Sequence, residues 1–283
     1  MPLVKMDRDK SIRYAAFLIT YLPRLSAMSY AAAGAHPGWR YVPLIAAYQA
    51  VKDAPGACLE FGVFKGASIN QTGKRYPNRR IYGFDSFEGF PDDGRPDWNQ
   101  NFSVGGKLPE VPGNVTLIKG YFSETLPQFL KGRPEEICLI NIDCDIYSST
   151  QDVFEALQSA RLLKAGVAIS FDELINYDEY LFNEMLALFE MLEKTGLGID
   201  WIAAHQNVRL IEDTVCLLKN GSHPSWKDDL AGGYLQQASL ILTDDGLDFS
   251  ILQHEHCRAR VAAVADHIEA MASAVNFDLK SAS

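Results

Sequence analysis

Leu59-Glu60-Phe61-Gly62-Val63-Phe64-Lys65-Gly66-Ala67-Ser68 is the stretch whose reading decides the architecture. An apolar run, Ala57 to Phe61, breaks at Gly62 and resumes after Gly66 as a more polar segment. That is the order of strand, turn and helix start in a nucleotide-binding α/β unit. Gly62 and Gly66 lack a Cβ, so the backbone can turn sharply and approach a ligand, with the first amides of the next helix facing it. The spacing is Gly-x-x-x-Gly, whereas a dinucleotide fold wants Gly-x-Gly-x-x-Gly, and Phe64 occupies the place of the middle glycine. Glu60 adds a carboxylate just before the turn, where it repels a pyrophosphate and suits a cationic or hydroxyl-bearing ligand. The expected cofactor is S-adenosylmethionine rather than NAD, and a plain β-turn-α unit with packing glycines is the structural alternative.

Outward from this turn the chain alternates. Strands are expected at 57–61, Arg80 to Phe84, Val115 to Lys119, Ile137 to Ile142 and Gly166 to Phe171, with helices from about 67, near Glu124 to Leu130 and from a capping box at Ser149-Thr150-Gln151-Asp152. Strands alternating with helices imply a parallel sheet. A helix through Phe182, Met185, Phe189 and Leu192 leads to two final β runs, Ile199 to Ala204 and Thr214 to Leu218, read as an antiparallel hairpin. The fold class is therefore α/β, a Rossmann-like class I methyltransferase sheet of seven strands, the last two a hairpin, flanked by helices. Before the sheet, Ile12 to Leu22 keeps helical period and Pro23 is expected to end it, with a second helix at Val42 to Val51. After it come a possible hairpin at Asp244-Asp245-Gly246 and an amphipathic helix through Val261, Ile268 and Val275. The domain scheme is 1–54, a helical cap or oligomer contact; 55–220, the cofactor-binding core; and 221–283, a C-terminal extension.

Composition narrows the partners. A chain of 283 residues, 47% apolar and 22% charged, can bury a sizeable core. A formal charge of -10 argues against nucleic acid and anionic membranes, and leaves a small molecule. Of five cysteines, Cys58, Cys138, Cys144 and Cys216 lie in apolar runs and read as reduced, buried thiols of a cytoplasmic protein. Asp7 and Asp9 interrupt the basic N-terminus, which argues against a signal peptide. Homo-oligomerisation is left open.

In an open parallel sheet, ligands bind at the carboxyl ends of the strands. Here those ends are acidic: Glu60, Asp85, Asp143 with Asp145, and Asp172 with Glu173. Asp85 stands 23 residues after Gly62, near the distance at which an acid accepts hydrogen bonds from ribose. Asp143, Asp172 and Glu173 come from adjacent strands, and oxygen-only ligands suit Mg²⁺. The alternative is that these acids cap helices or pair with Lys65, Arg79 and Arg80.

Four blocks now align with one family. The 59–66 stretch, Ile81-Tyr82-Gly83-Phe84-Asp85-Ser86-Phe87-Glu88-Gly89-Phe90-Pro91, Lys119-Gly120-Tyr121-Phe122-Ser123-Glu124-Thr125-Leu126-Pro127 and Ile142-Asp143-Cys144-Asp145-Ile146-Tyr147-Ser148-Ser149-Thr150 occur in its order. The chain resembles the macrocin O-methyltransferase (TylF/MycF) family of S-adenosylmethionine-dependent, Mg²⁺-dependent enzymes that methylate sugar hydroxyls in secondary metabolism. The resemblance covers about residues 55 to 175. It implies that Glu60, Gly62, Gly66 and Ser68, with Phe61 among them, surround the methionine part of the cofactor. Asp85 would take the ribose, Ser86, Gly120 and Phe122 the adenine region, and Asp143, Asp172 and Glu173 the metal. Asp143 would be the metal-assisted catalytic residue and would also count among the cofactor-binding ones, with no general base named. The fifth strand closes Asp172-Glu173-Leu174 where the family has Asp-Asp-Tyr, and the lid-like segment 86–113, with Trp98 and Phe102, holds no histidine. The expected function is O-methylation of a small-molecule hydroxyl on a sugar or other secondary metabolite; the alternative is a non-catalytic cofactor-binding scaffold derived from the same fold.

Overall fold

A computed structural model of the protein describes residues 6–27, 41–91, 102–131, 136–175, 180–204 and 237–281. The helices among them are α1 (Arg8–Ala27), α2 (Val42–Ala50), α3 (Ala67–Arg75), α4 (Phe122–Leu130), α5 (Tyr147–Ser159), α6 (Glu184–Thr195) and α7 (Glu255–Ser281). The strands are β1 (Ala57–Phe61), β2 (Ile81–Asp85), β3 (Val115–Lys119), β4 (Ile137–Ile142), β5 (Ala168–Phe171), β6 (Gly198–Ala204) and β7 (Ala238–Thr243). They form one sheet in the order β3-β2-β1-β4-β5-β7-β6. Strands β1 to β5 pair in parallel, and β7 runs antiparallel to both β5 and β6. This is the Rossmann-like class I methyltransferase sheet, and its strand order reverses between β1 and β4.

The sheet is buried on both faces because its strands are apolar on both. In β1, Leu59 and Phe61 join a large cluster with side chains from α1, α5, α6 and α7, while Cys58 joins a second cluster with α2 and α3. Phe61 stacks on Phe84 with ring centroids 4.9 Å apart and meets Phe122 edge-on. Burying rings of this size contributes about 2–3 kcal/mol each. At the termini, α1 lies against α7, with Arg8 paired to Asp266 and Glu269, and Tyr14 of α1 packs on Phe189 of α6.

Four expectations change. Pro23 lies inside α1, which continues to Ala27. Helix α5 begins at Tyr147 with Ile146 at its N-cap and no side-chain cap, so Ser149 to Asp152 is interior helix rather than a capping box. The strand paired with β6 is Ala238–Thr243; the Thr214 to Leu218 run lies outside the described residues. Asp244-Asp245-Gly246 closes β7 and leads to a 3-10 turn at Ser250–Gln253 and then α7, not to a hairpin. Among the described helices none is long and apolar enough to cross a membrane.

Candidate active site

Register brings the acidic strand ends level. The amide of Gly62 donates to Phe84 O (2.9 Å), that of Asp143 to Phe61 O (2.8 Å) and that of Asp172 to Ile142 O (3.0 Å), extending the ladder one step past each strand. Gly62 has φ +93°, and a Cβ there would stand 1.8 Å from the carbonyl oxygen of Asp143. Its glycine is thus required by the neighbouring strand, in addition to any ligand. Beyond these ends lies a cleft of about 150 Å³, centred on the β1/β4 reversal, where open α/β sheets bind ligands.

The β1-β2-β3 half of the cleft is lined by Gly62, Phe64, Asp85, Ser86, Phe90, Phe102, Tyr121 and Phe122, among others. Asp85 organises it. Its Oδ2 accepts the amides of Val63 (2.8 Å) and Phe64 (2.7 Å), and its Oδ1 accepts that of Phe87 (2.6 Å). Three of the roughly four acceptor positions of the carboxylate are thereby used, leaving one for a ligand hydroxyl. Phe64 is held at φ +49° by this arrangement, a strained conformation for a non-glycine residue. Phe102 meets both Phe64 (5.5 Å) and Phe90 (5.4 Å) edge to face, forming an aromatic lip.

The β4-β5 half is acidic: Asp143, Asp145, Asp152, Asp172 and Glu173 line it. Burial raises the pKa of Asp143 well above the usual carboxylate range, and the charges of Asp172, Asp145 and Glu173 push it further. Asp145 is raised likewise, first by burial and then by Glu173. Ser149 and Asp152 face the cleft three residues apart on one side of α5, and Asp145 reaches it from the turn before the helix. No lysine, arginine or histidine lines the cleft among the described residues. Arg79, one of the expected ion-pair partners, donates to the carbonyls of Val51, Lys52 and Ala54 instead, and the Lys65 ammonium sits over the Phe64 ring.

Of the residues singled out from sequence, the cleft gathers Gly62, Asp85, Ser86, Phe122, Asp143, Asp172 and Glu173. Glu60, Phe61, Gly66, Ser68 and Gly120 are not part of its lining. Glu60 is 2% exposed beneath the turn, accepting Ser68 Oγ at 2.6 Å, and burial pushes its pKa up to about 7. Gly66 takes a left-handed φ of +80° as the N-cap of α3, and Gly120 donates to Asp85 O. Trp98 lies outside the described residues. Phe102, expected in the lid, does line the cleft; Ser149 and Asp152, expected only as a capping box, line it too, and Phe64, Phe90 and Tyr121 are lining residues to which the sequence reading gave no role.

The donor chemistry suits a hard divalent cation, because the acidic half offers carboxylate oxygens and its described lining holds no basic side chain to neutralise them. Among the described residues, no three histidine, cysteine, aspartate or glutamate side chains stand in metal-holding geometry. Asp172 Oδ1 accepts a hydrogen bond from Gln237 Nε2. The chemistry of the site fits the ion, and the side chains would have to reorient to ligate it.

Comparison with known proteins bears on this cleft. Residues 59–174 match the family described as a methyltransferase domain. The matched segment runs from β1 through the end of β5 and carries every acid of the cleft. No curated protein matches the chain. Among solved structures, the chain is similar to CalS11, a calicheamicin methyltransferase, at 22% identity and a TM-score of 0.49, covering 84% of this chain and 95% of that one. It is also similar to an O-methyltransferase family protein from Burkholderia thailandensis (11% identity, TM-score 0.38, 72% of this chain and 55% of that one). A third is the MycE methyltransferase of the mycinamycin biosynthetic pathway, in complex with Mg, SAH and mycinamycin VI (14%, 0.36, 79% and 52%).

Proposed function

We propose that the protein is an S-adenosylmethionine-dependent O-methyltransferase of the macrocin O-methyltransferase (TylF/MycF) type, acting in the cytoplasm with Mg²⁺ on a hydroxyl of a small molecule, a sugar or another secondary metabolite. The observation that carries the reading is the division of one cleft at the β1/β4 reversal. Its aromatic half with the Asp85-ordered turn suits an adenosyl group, and its carboxylate half suits a hydroxylated acceptor.

Methyl transfer is an in-line displacement, so the chain's main task is alignment of sulfonium methyl and acceptor oxygen. In this reading Gly62, Asp85, Ser86 and Phe122 hold the cofactor, with Glu60, Phe61, Gly66, Ser68 and Gly120 supporting the turns around it. Asp143, Asp172 and Glu173 would hold the cation, which when bound lowers the pKa of an acceptor hydroxyl. The aromatic lip excludes water from the adenosyl side.

Calorimetric titration with S-adenosylmethionine, with and without Mg²⁺ and with NADH as control, tests the cofactor assignment. Saturable binding of the first and none of the last is expected. With a turned-over acceptor in hand, Asp172→Ala lowers kcat by at least about a hundredfold while cofactor affinity stays within about threefold. An unchanged rate in excess chelator removes the cation from the account, retained cofactor affinity without turnover on any acceptor favours the scaffold reading, and absent cofactor binding overturns the cofactor assignment.

A further inference from the structure

Glu184 opens α6, and its side chain is fully buried. Its Oε1 accepts the amide of Cys144 at 3.3 Å. Its Oε2 is buried with no hydrogen-bond partner. Cys144 and Asp145 are the two residues that follow Asp143 at the end of β4, and Asp145 sits at φ +61°. A non-glycine residue in that region costs on the order of 1 kcal/mol or more, and it persists only where its surroundings impose it. The turn is drawn tight from the other side as well, since Ile146 N donates to Cys144 O at 2.7 Å.

We infer that Glu184 is the positioning residue of the acceptor half of the cleft: by holding the amide of Cys144 from behind, it fixes the turn that carries the Asp143 and Asp145 carboxylates at the cleft. This rests on the methyltransferase reading above and deepens it. An apolar side chain would fill the same space more cheaply, because a buried carboxyl with an unpaired oxygen is costly. What an apolar side chain cannot supply is an acceptor for the Cys144 amide, which stands between the two residues whose carboxylates line the cleft. Glu184 lies outside the cleft lining, so it acts through the turn and not on substrate.

Two variants test this. Glu184→Leu keeps the volume and removes the acceptor; Glu184→Gln keeps an acceptor oxygen. For Glu184→Leu, kcat falls by about a hundredfold or more while the affinity for S-adenosylmethionine stays within about threefold, since the Gly62–Asp85 turn is untouched. Glu184→Gln recovers turnover to within about fivefold of wild type. Amide hydrogen exchange supplies a readout that needs no turnover. In Glu184→Leu, exchange at Cys144 accelerates by about a hundredfold while β1 and α5 amides keep their protection. A merely structural residue would instead lower the melting temperature and leave the kcat of the folded fraction intact, which overturns the inference. So does unchanged exchange at the Cys144 amide. If the wild type binds no S-adenosylmethionine, the methyltransferase reading fails, and the exchange result still decides whether Glu184 holds the turn.

Discussion

Glu60 shows how far a residue's role depends on where its side chain is sent. It stands beside Gly62 in sequence, yet the alternation of β1 turns it to the α2/α3 face, under Ser68 and beside Asn141, in the register row Glu60-Asn141-Ser170. Burial, and to a smaller degree the charge of Asp172, raise its pKa from 4.5 to about 7. A carboxyl raised on folding costs stability as pH rises, because the unfolded chain releases its proton first, from about pH 4.5, and the folded protein follows only near pH 7. A shift of this size corresponds to about 3 kcal/mol lost across that window. Glu60→Gln keeps a neutral side chain of the same shape. Its stability should therefore match wild type near pH 5 and exceed it near pH 8, as measured by urea denaturation at both. An equal difference at the two values sinks the assignment. The acidity of the strand ends was readable from sequence; which carboxylates face the cleft and which are buried away from it, as Glu60 is, depends on side-chain direction, which no motif spacing encodes.

At the scale of elements, the strand–helix alternation from β1 to β5 was legible because each run carries its own period and the glycine turns separate them. Two departures have physical causes. The stop rule placed a helix end at Pro23, since proline removes an amide donor and crowds the preceding turn. Yet Tyr21, Leu22 and Leu25 are all buried, Trp201 Nε1 donates to Tyr21 O at 2.9 Å, and the amide of Asp248 donates to the Tyr21 hydroxyl. Tertiary packing of that last turn outweighs a local cost of about 3 kcal/mol. Pro23→Ala should accordingly stabilise the protein by about 1–2 kcal/mol, less than the full local cost because alanine also frees the unfolded chain. A melting temperature that stays level or falls would mean that the ring itself packs productively. The other departure concerns β7. Thr214 to Leu218 and Ala238 to Thr243 are both short apolar β runs, and periodicity cannot rank them. What distinguishes Ala238 to Thr243 is a register with two partners at once, Ala168 to Phe171 on one side and Gly198 to Ala204 on the other, and such long-range pairing leaves no local mark.

For the whole molecule, one rim of the sheet concentrates charge. The chain carries a formal -10, and five carboxylates from β4, α5 and β5 converge on the acidic half of the cleft with no basic side chain among its described lining. Their repulsion opposes the native state and is relieved on unfolding, where the same groups move apart. A divalent cation that binds the native cleft and not the unfolded chain stabilises by mass action, about 2.7 kcal/mol at a hundredfold excess over its dissociation constant. For a chain of this size that corresponds to a rise in melting temperature of roughly 5 °C. The same ionic strength supplied as NaCl should produce a smaller rise, since screening weakens the repulsion without seating an ion between the carboxylates. Asp172→Ala should lose the Mg²⁺-specific part and retain any rise caused by S-adenosylmethionine, whose contacts lie on the other half of the cleft in this reading. Differential scanning fluorimetry across Mg²⁺, matched NaCl and cofactor separates these contributions. Equal rises with Mg²⁺ and with matched NaCl would make the acidic rim a diffuse field rather than a cation site, and the carboxylates would then have to act on the acceptor directly.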